Sequence, residues 1–204
     1  MSSSSGRALP NARVRRFMLA VQEVMGRSGL TTILRQAGLQ RYAGNLPPDD
    51  AGTLLSAAEY AAMIQAIENY YGRGARGTLN RIGHASFNQL LGSHKLRAQA
   101  NQLLFRLQSP ATRKLNALKW LAQEMAAPGG QVSVQPEEQC VALMDHESDA
   151  TFGRSRDGEI CWMTLGEIQA AVKWATGAEH EVVEITCKAK GDPVCRFEVR
   201  DILT

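Results

Sequence analysis

The sequence of 204 residues predicts an α+β fold, in which an N-terminal helical part packs on a small antiparallel sheet with one crossing helix. Up to residue 125, apolar residues recur mainly at helical spacing. After Pro128-Gly129-Gly130 the pattern changes to short strand-like runs. A sheet drawn from residues 131–204 is too small to bury both of its faces alone. We therefore expect one domain over residues 11–204, preceded by a disordered tail at residues 1–10.

Helix signals divide the N-terminal part into several segments. A first helix is predicted from Asn11, a candidate N-cap, to the glycines at 26 and 29, and a second from 30 to 37. Ser56-Ala57-Ala58-Glu59 is a capping box that predicts the start of a third helix. Further helices are predicted over 78–91 and 96–107 and from Ser109-Pro110 onward.

The C-terminal part combines strand patterns with one helix. Strands are predicted at 131–134, 140–145, 160–163, 181–187 and 195–199. Thr164-Leu165-Gly166-Glu167 has the pattern of a second capping box, so the crossing helix is predicted to begin there and to end at Gly177. Gly191-Asp192-Pro193 supplies the turn residues of a hairpin between the last two strands.

Composition narrows the classes of function. The net charge of +3 comes from 23 basic and 20 acidic residues, a balance that does not favour nucleic-acid binding. Arg13, Arg15 and Arg16 form a short basic cluster, which we interpret as a solvated helix face. No apolar run approaches the ~20 residues of a membrane span. The first residues have no apolar signal region, so we expect a cytoplasmic protein with reduced thiols.

Three cysteines and one glutamate form the most informative pattern. Cys161, Glu184, Cys187 and Cys195 could fill a tetrahedral zinc shell, which would be structural because four protein ligands leave no place for water. Residues 184 and 187 point to opposite faces of a regular strand, so the strand must bulge or turn near Cys187. The alternative is that these cysteines are plain buried apolar residues. Cys140 lies outside the pattern, and no base stands at a spacing that indicates catalysis.

The stretch from Val183 to Phe197, VEITCKAKGDPVCRF, resembles the C-terminal signature of the 4-vinyl reductase domain family. That family includes the aromatic-sensing domains of phenol- and xylene-responsive activators. It is similar in fold to TRAPP transport subunits and to haem-based nitric-oxide sensor domains. The spacing of the four candidate ligands matches the zinc site of the phenol sensors. Tyr71-Gly72 and Arg81-Ile82-Gly83 resemble the helical part of the family.

The resemblance implies a ligand-binding fold of the nitric-oxide-signalling and Golgi-transport type, with structural zinc and a small apolar cavity between helices and sheet. It also implies a homodimer formed through the N-terminal helices. The preferred hypothesis is a non-enzymatic sensor or carrier of a small apolar, aromatic or lipid-like molecule. One alternative is a tetrapyrrole 4-vinyl reductase, or its accessory protein, in bacteriochlorophyll synthesis. A second alternative is an interaction subunit whose cavity holds an acyl chain.

Four residues are candidates for the ligand pocket: His84, Phe87, Trp120 and Trp162. His84 could hydrogen-bond a polar head group of the ligand, although an internally satisfied or exposed histidine is the common alternative. The tryptophans could line the cavity or belong to the ordinary core. The other three histidines, His94, His146 and His180, stand in polar contexts and are expected to face solvent.

Overall fold

Helices occupy the first part of the chain and strands dominate the last part, which confirms the α+β class. The computed structural model describes residues 7–126 and 131–201. The helices are α1 Asn11–Gln36, α2 Ala57–Tyr71, α3 Ala75–Ser93, α4 Lys95–Phe105, α5 Pro110–Met125 and α6 Trp162–Thr176. The strands are β1 Ala8–Leu9, β2 Leu55–Ser56, β3 Val132–Pro136, β4 Cys140–Asp145, β5 Glu181–Thr186 and β6 Cys195–Arg200. The predicted break at 128–130 lies outside the described residues.

The N-terminal segment is more ordered than the sequence predicted. Ala8 and Leu9 form β1, which pairs antiparallel with β2, so a disordered tail that reaches residue 10 is wrong for these positions. Asn11 is not an N-cap, because it already belongs to α1 and its side chain contacts Asp50 Oδ1 and the amide of Leu54. The two predicted first helices form one element with a kink at Gly26, where φ is 75°.

Most helix-end signals are confirmed. Ser56 and Glu59 form the predicted capping box at the start of α2. The Ser109 hydroxyl accepts a hydrogen bond from the amide of Thr112 at the start of α5. Gly177 ends α6 in the left-handed conformation, with φ of 80°, which favours glycine.

The C-terminal sheet has the order β3-β4-β6-β5, and every neighbouring pair is antiparallel. Asp145 stands opposite Cys195 in the β4–β6 pair, and Glu184 stands opposite Phe197 in the β5–β6 pair. The register shifts between Glu184 and Thr186. This irregularity lies just before Cys187, close to the place where the ligand spacing required one.

The segment between β4 and β5 differs from its prediction. Residues 160 and 161 are not in a strand, and α6 begins at Trp162, so the predicted strand at 160–163 is wrong. Thr164 and Glu167 lie inside α6 and do not form a capping box; Glu167 instead accepts a hydrogen bond from Ser86 Oγ at 2.7 Å. The apolar side chains that suggested a strand are the buried first turn of a helix.

Two glycines let α3 and α6 cross in direct backbone contact. A Cβ added to Gly83 would lie 2.1 Å from the carbonyl oxygen of Met163, and one added to Gly166 would lie 2.2 Å from that of Asn80. Both distances are far below van der Waals contact, so neither position accepts a side chain without moving a helix. The close crossing fixes α6, and with it the loop that carries Cys161.

The apolar interior consists of two main clusters on either side of this crossing. The N-terminal core joins α1, α2 and the first part of α3, and includes Phe17, Ile64 and Ile67. The C-terminal core joins the rest of α3, α5, α6 and the sheet, and includes Phe87 and Phe197. In the part of the chain that the structure describes, none of the helices combines the length and apolarity that a membrane crossing needs.

Candidate metal centre and interior pocket

The four predicted metal ligands meet in the C-terminal core. Cys161 comes from the loop before α6, Glu184 from β5, Cys187 from the turn after β5, and Cys195 from the start of β6. All four residues are buried, and one ligand atom from each lies within 4.8 Å of the others. The sequence spacing therefore identified a real cluster, built by three separate segments of chain.

The distances within the cluster suit a tetrahedral ion. Cys161 Sγ lies 3.6 Å from Cys195 Sγ and 4.0 Å from Cys187 Sγ. Zn–S bonds of about 2.3 Å in a tetrahedron place two sulfur ligands about 3.8 Å apart. The sulfurs are too far apart for disulfides, and all four cysteines of the chain are free.

One oxygen of the buried Glu184 carboxylate has no hydrogen-bond partner among the described residues. Glu184 Oε2 accepts a hydrogen bond from the amide of Cys161 at 3.0 Å, but Oε1 has no hydrogen-bond partner among the described residues. Burial raises the pKa of Glu184 to about 8, and contacts with Cys187 and Cys195 together with burial raise that of Cys161 well above its ordinary value. An unpaired carboxylate oxygen beside three thiols is the donor set that a divalent ion would satisfy.

Backbone groups fix the ligands from outside the cluster. The amide of Lys188 donates to Cys195 Sγ at 3.3 Å, and the amide of Cys187 donates to Asp192 Oδ2 at 2.8 Å. Gly191 closes the turn with φ of 100°. Such contacts orient metal ligands and partly neutralise thiolate charge. The turn at 188–193 is therefore shaped around the cluster.

The candidate pocket residues do not share one cavity. Phe87 lines an interior pocket, whereas His84 is not among the residues that line it, and its Nε2 lies 3.2 Å from Gln169 Oε1 on α6. Trp120 packs against Trp174, with ring centroids 5.3 Å apart. Trp162 packs against both apolar cores. A ligand role for these four residues stays a prediction, with Phe87 the one placed at the interior pocket.

That pocket lies between the two cores and has a volume of about 10 Å³, room for one water molecule. Its polar lining combines two cations and two carboxylates with two hydroxyls, unlike the apolar cavity that the resemblance implied. One wall carries Phe87, Leu90, Leu121 and Met125. The polar residues are Arg13, Arg16, Tyr60, Ser86, Glu124 and Glu167.

Arg16 is the least satisfied group in the pocket. It is 8% exposed, and it makes no hydrogen bond to any described residue. Its closest carboxylate oxygen, Glu124 Oε2, lies 3.7 Å from Nη2. Burial lowers the pKa of Arg16 and raises that of Glu167. A mostly buried guanidinium whose contact with Glu124 is a long ion pair therefore faces the pocket beside carboxylate acceptors.

The basic cluster at the start of α1 is not the solvated face that we expected. Arg13 pairs with Asp149 and donates to the carbonyl of Met125, and Arg15 donates to the carbonyl of Pro47 at 2.8 Å. The side chain of His180 is only 8% exposed, with Nδ1 3.0 Å from Asp201 Oδ1, although we expected it to face solvent. The burial of Arg13 and Arg16 was predictable from helical spacing, because both occupy the same side of α1 as Phe17 and Val21.

Comparison with known proteins identifies the fold of the chain through solved structures. Neither the family models nor the curated proteins match the sequence. Solved structures match along nearly the whole chain. The chain has the fold of H-NOX proteins. The Fe(II) unliganded H-NOX protein from K. algicida matches with a TM-score of 0.62 and 11% identity, over 96% of this chain and 98% of that one.

Two further matches agree. The H-NOX protein from S. oneidensis in the Fe(II)NO ligation state has a TM-score of 0.56 and 11% identity, over 91% of this chain and 97% of that one. A structure from work on heme redox potential and porphyrin distortion has a TM-score of 0.57 and 12% identity, over 94% and 98%. At these identities the likeness concerns the fold alone.

Proposed function

We propose that the chain is a non-enzymatic small-molecule-binding domain, a sensor or carrier, whose C-terminal core is held by structural zinc. The zinc proposal rests on the closed cluster of Cys161, Glu184, Cys187 and Cys195. Four protein ligands would complete a tetrahedron, so the ion would stabilise the fold and would not activate water. Cytoplasmic location and dimerisation through the N-terminal helices belong to the same proposal.

Haem does not fit the interior as it is packed. The matched H-NOX structures include Fe(II) forms. In this chain, however, the enclosed pocket between the two cores measures about 10 Å³, and no histidine is among the residues that line it. Ligand pockets for molecules of drug size measure about 300 Å³ or more. The same volume argues against a tetrapyrrole substrate or an acyl chain at this place, so we do not propose the reductase or the acyl-carrying subunit.

Arg16 carries the proposal of a ligand site, because it makes no hydrogen bond to the described residues and its ion pair with Glu124 is long, at 3.7 Å. Buried polar groups are normally hydrogen-bonded, and exceptions concentrate at functional sites. The pocket offers a guanidinium donor in Arg16 and carboxylate acceptors in Glu124 and Glu167. A hydroxyl group accepts from the first and donates to the second, whereas a carboxylate would be repelled by both glutamates. We therefore propose a small hydroxylated aromatic molecule, with its ring against the apolar wall of the pocket.

A ring of that size enters only if Phe87, Leu90 or Leu121 moves, since the pocket has room for one water molecule. We expect weak binding that depends on the head group. Isothermal titration calorimetry with phenol, toluene and benzoate tests this. Phenol should bind about tenfold more tightly than toluene, because a hydrogen bond to a charged group contributes roughly 1.5–3 kcal/mol. Benzoate should bind more weakly than phenol.

Arg16→Met should remove the preference for phenol over toluene, and Arg27→Met is the matched control. Arg27 is on the same helix but exposed, so its variant should keep the wild-type ratio. Circular dichroism establishes that both variants are folded. An equal phenol-to-toluene ratio in wild type and Arg16→Met would show that the pocket is not the binding site.

A further inference from the structure

The positive charge of the chain is concentrated in one stretch. Residues 69–123, which span α3, α4 and most of α5, contain nine Lys and Arg and no Asp or Glu. The remaining residues are therefore net acidic, since the whole chain is only +3. The nine cations are Arg73, Arg76, Arg81, Lys95, Arg97, Arg106, Arg113, Lys114 and Lys119.

The same stretch carries an outward apolar ridge on α4. Leu96, Leu103 and Leu107 are 85%, 61% and 87% exposed, and Leu104 beside them is also exposed. At about 100° per residue, Leu96 and Leu103 lie about 20° apart on the circumference of α4, and Leu107 follows in the turn after the helix. Most of the remaining large exposed apolar side chains are isolated, so this ridge is the main cluster of its kind among the described residues.

The leucine ridge does not face the apolar core. The buried residues of α4 are Ala98 and Phe105, which lie about 140–180° from Leu96 and Leu103 around the helix. A helix that is apolar on opposite faces is normally enclosed on both. Here α4 packs on the molecule with one face and presents the other to solvent. The second face therefore lacks a cover within the described chain.

Cations border the ridge on both sides. Lys95 and Arg106 are exposed and have no carboxylate partner among the described residues. Between α4 and α5 runs a groove of about 290 Å³, which contains Arg97 and Lys119. Amide side chains of Asn101, Asn116 and Gln123 add hydrogen-bond donors to this groove. Arg97 already has an ion pair with Glu124 at 3.6 Å, so an anionic group beside the leucines would meet hydrogen-bond donors and the charge of Lys119 there.

We propose that the α4 ridge docks on an anionic phospholipid surface, with the leucines in the acyl boundary and the surrounding cations on lipid phosphates. Leucines flanked by lysine and arginine on a short protruding helix are the composition of interfacial membrane anchors. A second copy is a poor occupant, because two such faces would bring Lys95 and Arg106 of both chains together without a carboxylate. The proposal is independent of the metal cluster and of the interior pocket.

Vesicle co-sedimentation of the full chain tests the proposal. We expect binding to vesicles of phosphatidylcholine mixed with phosphatidylglycerol, little binding to phosphatidylcholine alone, and release by salt. The double variant Leu103→Ser/Leu107→Ser should reduce the partition coefficient roughly tenfold or more. Lys95→Gln/Arg106→Gln should reduce it about fivefold for each charge removed. Inorganic phosphate should compete no better than sodium chloride at equal ionic strength.

Leu54→Ser is the control, because Leu54 is 54% exposed and lies outside the ridge. It should bind vesicles as wild type does, and thermal unfolding should show that every variant is folded. The proposal is overturned if wild type does not sediment with anionic vesicles, or if the leucine double variant sediments equally well. It is also overturned if light scattering shows a dimer that this variant dissociates while vesicle binding is absent.

Discussion

At the scale of single residues, the four candidate metal ligands show how residues separated in sequence are brought to one place. Glu184 and Cys187 differ by three positions, yet both reach the cluster because the β5–β6 register shifts after Glu184 and the chain then turns. Cys161 enters from a loop that is held by the α3–α6 crossing. Each ligand is thus positioned by a different local cause, and the cluster is complete only when the whole C-terminal part has folded.

Cys195→Ser should remove bound zinc and lower the Tm by more than about 10 °C. Structural zinc contributes on the order of 10 kcal/mol in zinc-binding peptides, and about 1 kcal/mol corresponds to about 2–4 °C for a chain of this length. Cys140→Ser is the matched control, because Cys140 is only half-buried and contacts Glu137 outside the cluster. Elemental analysis of both purified variants, with calorimetry, gives the answer. Full zinc occupancy in Cys195→Ser would contradict the assignment.

Residue identity predicted the metal cluster better than it predicted the pocket. Free cysteines serve mainly as buried apolar residues or as metal ligands, so the spacing of three cysteines and one glutamate indicates a metal site. A run of charged residues predicts a solvent-facing helix face, which is wrong for Arg13 and Arg16. Their burial depends on Asp149 and Glu124, which lie more than a hundred positions away in sequence. No local pattern contains that pairing.

At the scale of elements, the crossing of α3 and α6 depends on two glycines that face each other's backbone. Gly83→Ala should destabilise the protein by about 3 kcal/mol or more, because its Cβ would lie 2.1 Å from a backbone oxygen and the helices would have to separate. Gly92→Ala on the same helix is the control. Nothing lies within 4 Å of a Cβ there, so it should stabilise by about 0.5–1 kcal/mol.

Chemical denaturation of the two variants measures both changes in the free energy of unfolding. Equal values would mean that the crossing tolerates a methyl group, and that the close approach of the backbones is not required for stability. A smaller m-value in Gly83→Ala, by contrast, would indicate that the native state has loosened around the crossing.

The serine caps of α2 and α5 were predictable from their end signals, whereas the predicted Asn11 cap and the Thr164–Glu167 capping box do not form. Ser56 and Ser109 each cap a helix as expected. The run from Ile160 to Met163 is short and apolar, and periodicity cannot distinguish a buried strand from a buried helix turn in so few residues. Glu167 has the spacing of a capping box with Thr164, but its carboxylate is used by Ser86 across the α3–α6 contact. Tertiary packing, and not the local sequence pattern, therefore determines the conformation of this segment.

At the scale of the whole molecule, the proposed metal would stabilise the two apolar cores unequally. The N-terminal core is built from α1, α2 and the first half of α3, and none of the four ligands belongs to it. Cys161, Cys187 and Cys195 all belong to the C-terminal core, together with Phe197 and Val199. A bound metal adds most to the stability of a small sheet that buries one face, whereas packed helices can remain folded without it.

Removal of the metal with a chelator should therefore raise amide hydrogen exchange in β5, β6 and the loop before α6, well before it does so in α1 and α2. The reason is that local opening follows the weakest part of the structure, and four ligands would lose their common partner there. Hydrogen exchange measured by mass spectrometry resolves these segments. Cys195→Ser should give the same pattern without chelator. An increase that is uniform over both cores would contradict this division, and would indicate that the metal stabilises the molecule only as a single cooperative unit.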